Sequence, residues 1–341
     1  MKHSILHSAI ATAMAIGLAA CSSGSDVAGI GGSGITSTGT ITGFGSIYVN
    51  DVKFETSSST FDVDDNPDST ENVLDLGMRV TVKGTLNADG VTGIANSVAY
   101  DDELEGPVSN VKNDGPDKKT ITVLGVTVAL NRDTTYFNIE HDEDSAVSGT
   151  LNFDDISQAD TVNKMVEISG YVNSTGELVA TRVELEDDTF NLNDTTVEIK
   201  GTITSVDATG FTLNILGTTG VIVDVDTSLP PEYEDLPVAG IAEDEVVEVE
   251  GKCPVDIDCA MINATRIEGE SEGFDDDHDG DVEIEGFITR YDSDSDFDVN
   301  GLPVDASTAD FNFTLEKDLF VEVEGTVIDN VLIATKVELE D

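Results

Sequence analysis

The chain has 341 residues and carries 69 aspartates and glutamates against 16 lysines and arginines, a formal charge of −53. A field this negative repels phosphate backbones and argues against nucleic acid as a partner; with no tryptophan and few aromatics, a stacking platform for bases or sugars is also weak. Apolar residues still make up 39% of the chain, so packed cores are expected rather than a disordered acidic tail.

Residues 1–20 read as a targeting signal: Lys2 gives a short positive start, and residues 5–18 form an apolar run too short to span a bilayer as a mature helix. The run ends in Leu18-Ala19-Ala20-Cys21, which resembles the lipobox of bacterial lipoproteins. The resemblance implies that Cys21 is lipidated and becomes the mature N-terminus, anchored by acyl chains worth about 0.8 kcal/mol per buried methylene. Ser22 stands where an aspartate would signal inner-membrane retention, which points to the outer membrane, facing either the periplasm or the cell surface. Lipidated Cys21 and a Gly/Ser tether fill residues 21–36.

Beyond the tether the chain repeats itself. Four openings align, STGTIT (37–42), LEGPVSNV (104–111), EIKGTITSV (198–206) and EIEGFITRY (283–291). Each is followed by a valine-rich segment ending in glycine, RVTVKG, MVEISG, VVEVEG or FVEVEG, and then by a closing strand, of which LVATRVELE (178–186) is typical. The repeats span 37–100, 101–188, 189–271 and 282–341, with an acidic linker at 272–281. Val-Glu-Val-Glu alternation is the period of a half-buried strand. Asn50-Asp51 and Asn300-Gly301 read as tight hairpin turns, and Leu124-Gly125 and Leu216-Gly217 take the same place. Segments 152–165 and 231–245 have room for a short helix or turn. The expectation is an all-β protein, a tandem array of four small five-stranded OB-like β-barrel repeats; a flat sandwich unit has the same strand count.

Segments such as GTITGFGSIYVNDVKFE (39–55), DDELEGPV (101–108), VEISGYV (166–172) and ATRVELE (180–186) resemble the bacterial repeats called domain of unknown function 5666. The resemblance implies a small β-barrel repeat found in exported proteins, often in tandem, and carries over no catalytic or binding residue.

Basic residues recur at one position of the closing strand, Arg182, Arg266 and Lys336, where they would relieve crowding among outward glutamates such as Glu248, Glu250, Glu322 and Glu324. Cys253 and Cys259 lie in an expected hairpin loop of an exported protein, so a disulfide is expected. His141 and His278 sit in acidic stretches with no triad or zinc motif around them, which argues against an enzyme. Calcium is the one cofactor with a case. Asp275, Asp277, Asp279, Asp281 and Glu283 match positions 1, 3, 5, 7 and 9 of an EF-type loop with Gly280 at 6, but position 12 is Gly286. The stretch therefore reads first as a solvated linker and second as a looser calcium loop. A second acidic row, Asp292, Asp294, Asp296 and Asp298, lacks the turn glycine. The reading is a non-enzymatic envelope lipoprotein that binds or supports a protein, glycan or polymer partner. A calcium-stiffened module and a hydrolase using a carboxylate pair stand behind it.

Overall fold

In the computed structural model, which describes residues 34–139, 151–214, 221–224, 229–236, 240–270, 274 and 280–340, regular structure is β throughout apart from a 3-10 turn at Glu71–Val73. Repeat 1 holds β1 (Gly34–Thr40), β2 (Ile47–Val49), β3 (Val52–Glu55), β4 (Thr60–Val63), β5 (Arg79–Leu86) and β6 (Thr92–Tyr100). Repeat 2 holds β7 (Leu104–Asn113), β8 (Lys118–Val123), β9 (Val126–Asn131), β10 (Tyr136–Ile139), β11 (Met165–Val172) and β12 (Leu178–Asp187). Repeat 3 holds β13 (Thr196–Val206), β14 (Gly210–Asn214), β15 (Val221–Asp224), β16 (Glu232–Glu234), β17 (Val246–Lys252) and β18 (Met261–Glu270). Repeat 4 holds β19 (Asp281–Ser293), β20 (Asp296–Val299), β21 (Leu302–Asp305), β22 (Phe320–Ile328) and β23 (Val331–Leu339).

Each repeat closes on itself. In repeat 2, β7 pairs with β8, β8 with β9, β9 in parallel with β12, β12 with β11, and β11 back with β7. Repeats 3 and 4 follow the same circuit, β13-β14-β15-β18-β17 and β19-β20-β21-β23-β22. Repeat 1 follows it through β1-β5-β6-β3-β2 and closes by a bridge between Gly43 and Tyr48. Closure satisfies the backbone groups that a lone meander would leave at its edges. The short strands β4, β10 and β16 lie parallel to the last strand of their repeats. Of the two segments with room for a short helix, 152–164 is turns and irregular backbone, and the described part of 231–245 holds β16 and turns. Two boundaries move: β1 begins at Gly34, so residues 34–36 belong to the first barrel and not to the tether, and β19 begins at Asp281.

Glycine recurs in the repeats for two steric reasons. The hairpin turns place non-glycine residues in the left-handed region, Asn50 at φ 48°, Leu124 at φ 46° and Asn300 at φ 50°, as a tight two-residue hairpin requires. Their side chains fold back over the glycine of the first strand. A Cβ on Gly39 would lie 1.9 Å from Asn50 Oδ1, one on Gly106 2.6 Å from Leu124 Cγ, and one on Gly286 2.1 Å from Asn300 Nδ2. The second glycine, at the end of each valine-rich strand, sits where the ladder slips by one residue. There the neighbouring carbonyl occupies the space of a Cβ, 2.3 Å away at Gly84, 2.4 Å at Gly170 and 2.2 Å at Gly325.

Alternation then fills the barrels. Ile41, Ile47, Phe54, Val80, Val82 and Val98 pack repeat 1, and Ile288, Phe297, Val299, Val321, Val323 and Leu332 pack repeat 4, as separate cores. Repeats 2 and 3 share one continuous core that includes Leu104, Ile168, Ile199 and Val249. The barrels are also joined by strand pairing, and not in chain order. β1 of repeat 1 runs parallel to β19 of repeat 4, and β7 of repeat 2 runs antiparallel to β13 of repeat 3.

Candidate functional site: carboxylate seams between barrels

Period-two alternation turns Val247 and Val249 into the barrel of repeat 3 and Glu248 and Glu250 out of it. On an isolated barrel such glutamates would be solvated. Here the pairing of repeats 2 and 3 puts five of them opposite one another on successive strands. Glu184 faces Glu167, Glu167 faces Glu105, Glu105 faces Glu198, and Glu198 faces Glu250. Directly opposed like charges are destabilising, so this row requires counter-charge.

Part of it comes from the recurring basic position. Glu250 faces Arg266 and Glu324 faces Lys336, as the sequence pattern anticipates. Arg266 lies 3.0 Å from Glu250, 3.4 Å from Glu248 and 2.6 Å from Asp65 of repeat 1. Arg182 departs from the expectation of an outer-face pair. It is only 2% exposed, donates to the Leu76 carbonyl at 3.0 Å, and pairs with Asp75 of repeat 1 at 3.1 Å and with Glu184 at 2.7 Å. The reason is tertiary: repeat 1 packs over this face, so a side chain that points away from its own barrel is still buried.

Repeat 1 also supplies the roof of the row. The Tyr100 hydroxyl donates to Glu167, and Lys200 of β13 pairs with Asp101 and, at 3.2 Å, with Glu248. Asp102 lies against Glu198 and is 4% exposed, and its Oδ2 has no hydrogen-bond partner among the described residues. Burial, then the charges of Glu198 and Glu167, pushes the Asp102 carboxyl well above its usual range. Burial raises Glu167 to about 7 against the pull of the Tyr100 hydroxyl, and burial with the nearby Glu198 charge raises Glu248 to about 8. Although burial opposes it, the Asp101 and Glu248 carboxylates hold Lys200 above the ordinary lysine value.

The seam between repeats 1 and 4 is built differently. Ser37 of β1 donates to Glu283 of β19 at 2.7 Å, and Asn50 donates to the Ser37 hydroxyl at 3.0 Å. Burial raises Glu283 to about 7, and burial with the Glu283 charge raises Glu322 to about 9. A cleft beside them is lined by Ile35, Val52 and Leu86 together with Asp281, Glu283 and Glu324. Two of its carboxyls are committed to the seam, Glu283 to Ser37 and Glu324 to Lys336.

Of the residues singled out from the sequence, Cys253 and Cys259 form a disulfide with Cα atoms 5.1 Å apart, and both are buried. Cys21, Asp275, Asp277 and Asp279 lie outside the described residues, as do His141 and His278. Asp281 is exposed at the start of β19, opposite Ile35, whereas Glu283 faces the seam, so these two do not sit in a free loop. Three members of the second acidic row are taken up by Arg290, which lies 2.8 Å from Asp296 and 2.6 Å from Asp298 and also pairs with Asp292, while Asp294 accepts from the Tyr291 hydroxyl. Sequence reasoning missed Asp101, Asp102, Glu198 and Lys200. One signal was available: Lys200 is the lone cation before a first-strand glycine, where the other repeats have Thr38, Glu105 and Glu285.

Chemically, the seams offer hard carboxylate oxygens, a few shared cations and bound protons, an arrangement suited to joining barrels and to holding cations. No curated protein matches the chain. The family model for a domain of unknown function, DUF5666, matches four times, at residues 35–98, 105–184, 200–268 and 285–338, one match per barrel. The protein therefore belongs to the DUF5666 family, as four tandem copies of its domain.

Proposed function

We propose that the protein is a non-enzymatic module of the bacterial cell envelope, held at the outer membrane through lipid on Cys21, that binds or supports a protein, glycan or polymer partner. The observation that carries this reading is where the ionisable groups go. The barrel interiors are filled by aliphatic and aromatic side chains, while ion pairs such as Arg182–Asp75 and Arg266–Asp65 join one barrel to another. Binding would then use the barrels' outer faces. The strand circuit first-second-third-fifth-fourth-first supports reading each unit as an OB-type barrel, a fold whose outer face and loops serve as a binding platform in other proteins.

Three experiments test the reading. Cys21→Ala should move the protein from the membrane fraction to the soluble fraction, and retention on membranes would contradict the lipid anchor. Cross-linking of the anchored form in whole cells should trap a defined envelope partner. Turnover of glycoside or ester substrates that is lost on Glu283→Gln would replace the non-enzymatic reading with hydrolysis in the cleft between repeats 1 and 4.

A further inference from the structure

The seam beneath repeat 1 contains a site whose chemistry its protein contacts leave incomplete. Asp101 and Asp102, in the segment leaving β6, meet Glu198 of β13, and each contributes an oxygen lying within 4.8 Å of the other two. That spacing is compatible with one ion surrounded by oxygens at about 2.3–2.6 Å. Opposed acids in a strand ladder do not suffice to indicate a ligand. The second observation is Asp102, whose Oδ2 is buried without a hydrogen-bond partner among the described residues while its carboxyl abuts that of Glu198. Two carboxyls in contact need something positive between them, either a proton held by one, as at Asp102, or a cation that displaces it.

The groups facing Asp102 are Glu198, Glu167, Tyr100 and Lys200. Lys200 already divides its charge between Asp101 and Glu248, and the Tyr100 hydroxyl is given to Glu167. The triad thus presents only carboxyl oxygens, with at most a shared proton between Asp102 and Glu198 for a cation to replace.

We propose that Asp101, Asp102 and Glu198 form a divalent-cation site, taking Ca²⁺, that locks the segment leaving repeat 1 onto repeat 3. The ligands are all oxygen, as a hard cation prefers, and calcium accepts a side-chain cage without the strict octahedron that magnesium demands. The site is distinct from the acidic linker before β19 and does not depend on whether the module is enzymatic.

The test uses the detergent-solubilised full chain, stripped with chelator, and calcium alone as the titrant. Calorimetry should show saturable binding, and saturating calcium should raise the melting temperature by about 5 °C. Asp102→Asn and Glu198→Gln should each weaken binding roughly tenfold or more, whereas Asp275→Asn with Asp277→Asn should leave it unchanged. Without calcium, Asp102→Asn should melt at or above the wild-type temperature, because it removes an uncompensated buried acid; a purely structural carboxylate would give a lower melt. This keeps the test decisive if Glu198→Gln folds poorly. The proposal is overturned by the absence of saturable calcium binding, by an equal response to magnesium at the same ionic strength, or by binding that follows the linker variant and not Asp102.

Discussion

The two seams join barrels through the same strand of the repeat and reach different solutions. Between repeats 1 and 4, β1 and β19 run parallel, the cores stay separate, and the buried Glu283 is met by a neutral hydroxyl from Ser37. Between repeats 2 and 3, β7 and β13 run antiparallel, the cores merge, and a row of glutamates is faced by Arg182, Lys200 and Arg266. A hydrogen bond from a hydroxyl suffices for one carboxyl that can keep its proton. Five in register exceed what neutral donors supply, so the second seam draws on cations from repeats 2 and 3. The same outward glutamate is therefore a surface residue, a proton holder or an ion-pair member according to what docks against it.

The broadest way to break this comparison is pH. Glu167 and Glu283 near 7, Glu248 near 8 and Glu322 near 9 all bind protons more tightly folded than in the unfolded chain, where glutamate titrates near 4.5. Stability from these groups is present below about 4.5 and is lost as pH rises through the folded values, because the unfolded chain releases protons that the folded seams retain. In calcium-free buffer, denaturant midpoints should therefore fall between pH 5 and 9, opposite to ordinary acid denaturation. Glu283→Gln with Glu322→Gln should remove the part due to the seam between repeats 1 and 4 and leave the rest. A midpoint that climbs steadily over this range would contradict the assignment of protons to both seams.

Arg182→Met comes next. It leaves the buried Glu184 without its cation and should cost about 3–5 kcal/mol in urea unfolding, most of it recovered by adding Glu184→Gln. A loss under about 1 kcal/mol would mean that Arg182 is solvated. Reducing the Cys253–Cys259 disulfide, which closes a loop of six residues in sequence separation, should cost about 2 kcal/mol. Hydrogen exchange should localise the loosening to the β17–β18 hairpin; an effect spread equally to repeats 1 and 4 would show that the staple acts globally. The smallest effect belongs to Lys336→Met. Its partners Glu324 and Glu338 are about as exposed as the lysine itself, so the change should stay under about 1 kcal/mol. Equal costs for Arg182 and Lys336 would erase the distinction between the seams.

Much of the fold was legible in residues. Val-Glu-Val-Glu gave strand and face, Asn50-Asp51 and Asn300-Gly301 gave the hairpins, and the recurring glycines marked close approaches that the structure explains atom by atom. Cys253 and Cys259 pair as their loop suggests. The candidate site was much less legible. The calcium-like spacing of Asp275, Asp277 and Asp279 lies outside the described residues, while Asp102 carries no motif and gains its character from Glu198, almost a hundred positions away.

By itself, then, the sequence determined the repeat, its strands and which side chains enter each barrel, because these follow from local period, turn chemistry and glycine sterics. Only the tertiary structure decided that repeat 1 pairs with 4 and repeat 2 with 3, and that Arg182, Glu184 and Asp102 are buried. The physical reason is that alternation specifies the inside of a barrel and leaves its outside unassigned. What covers an outward glutamate is set by contacts such as Ser37 to Glu283, 246 residues apart, which no local pattern encodes.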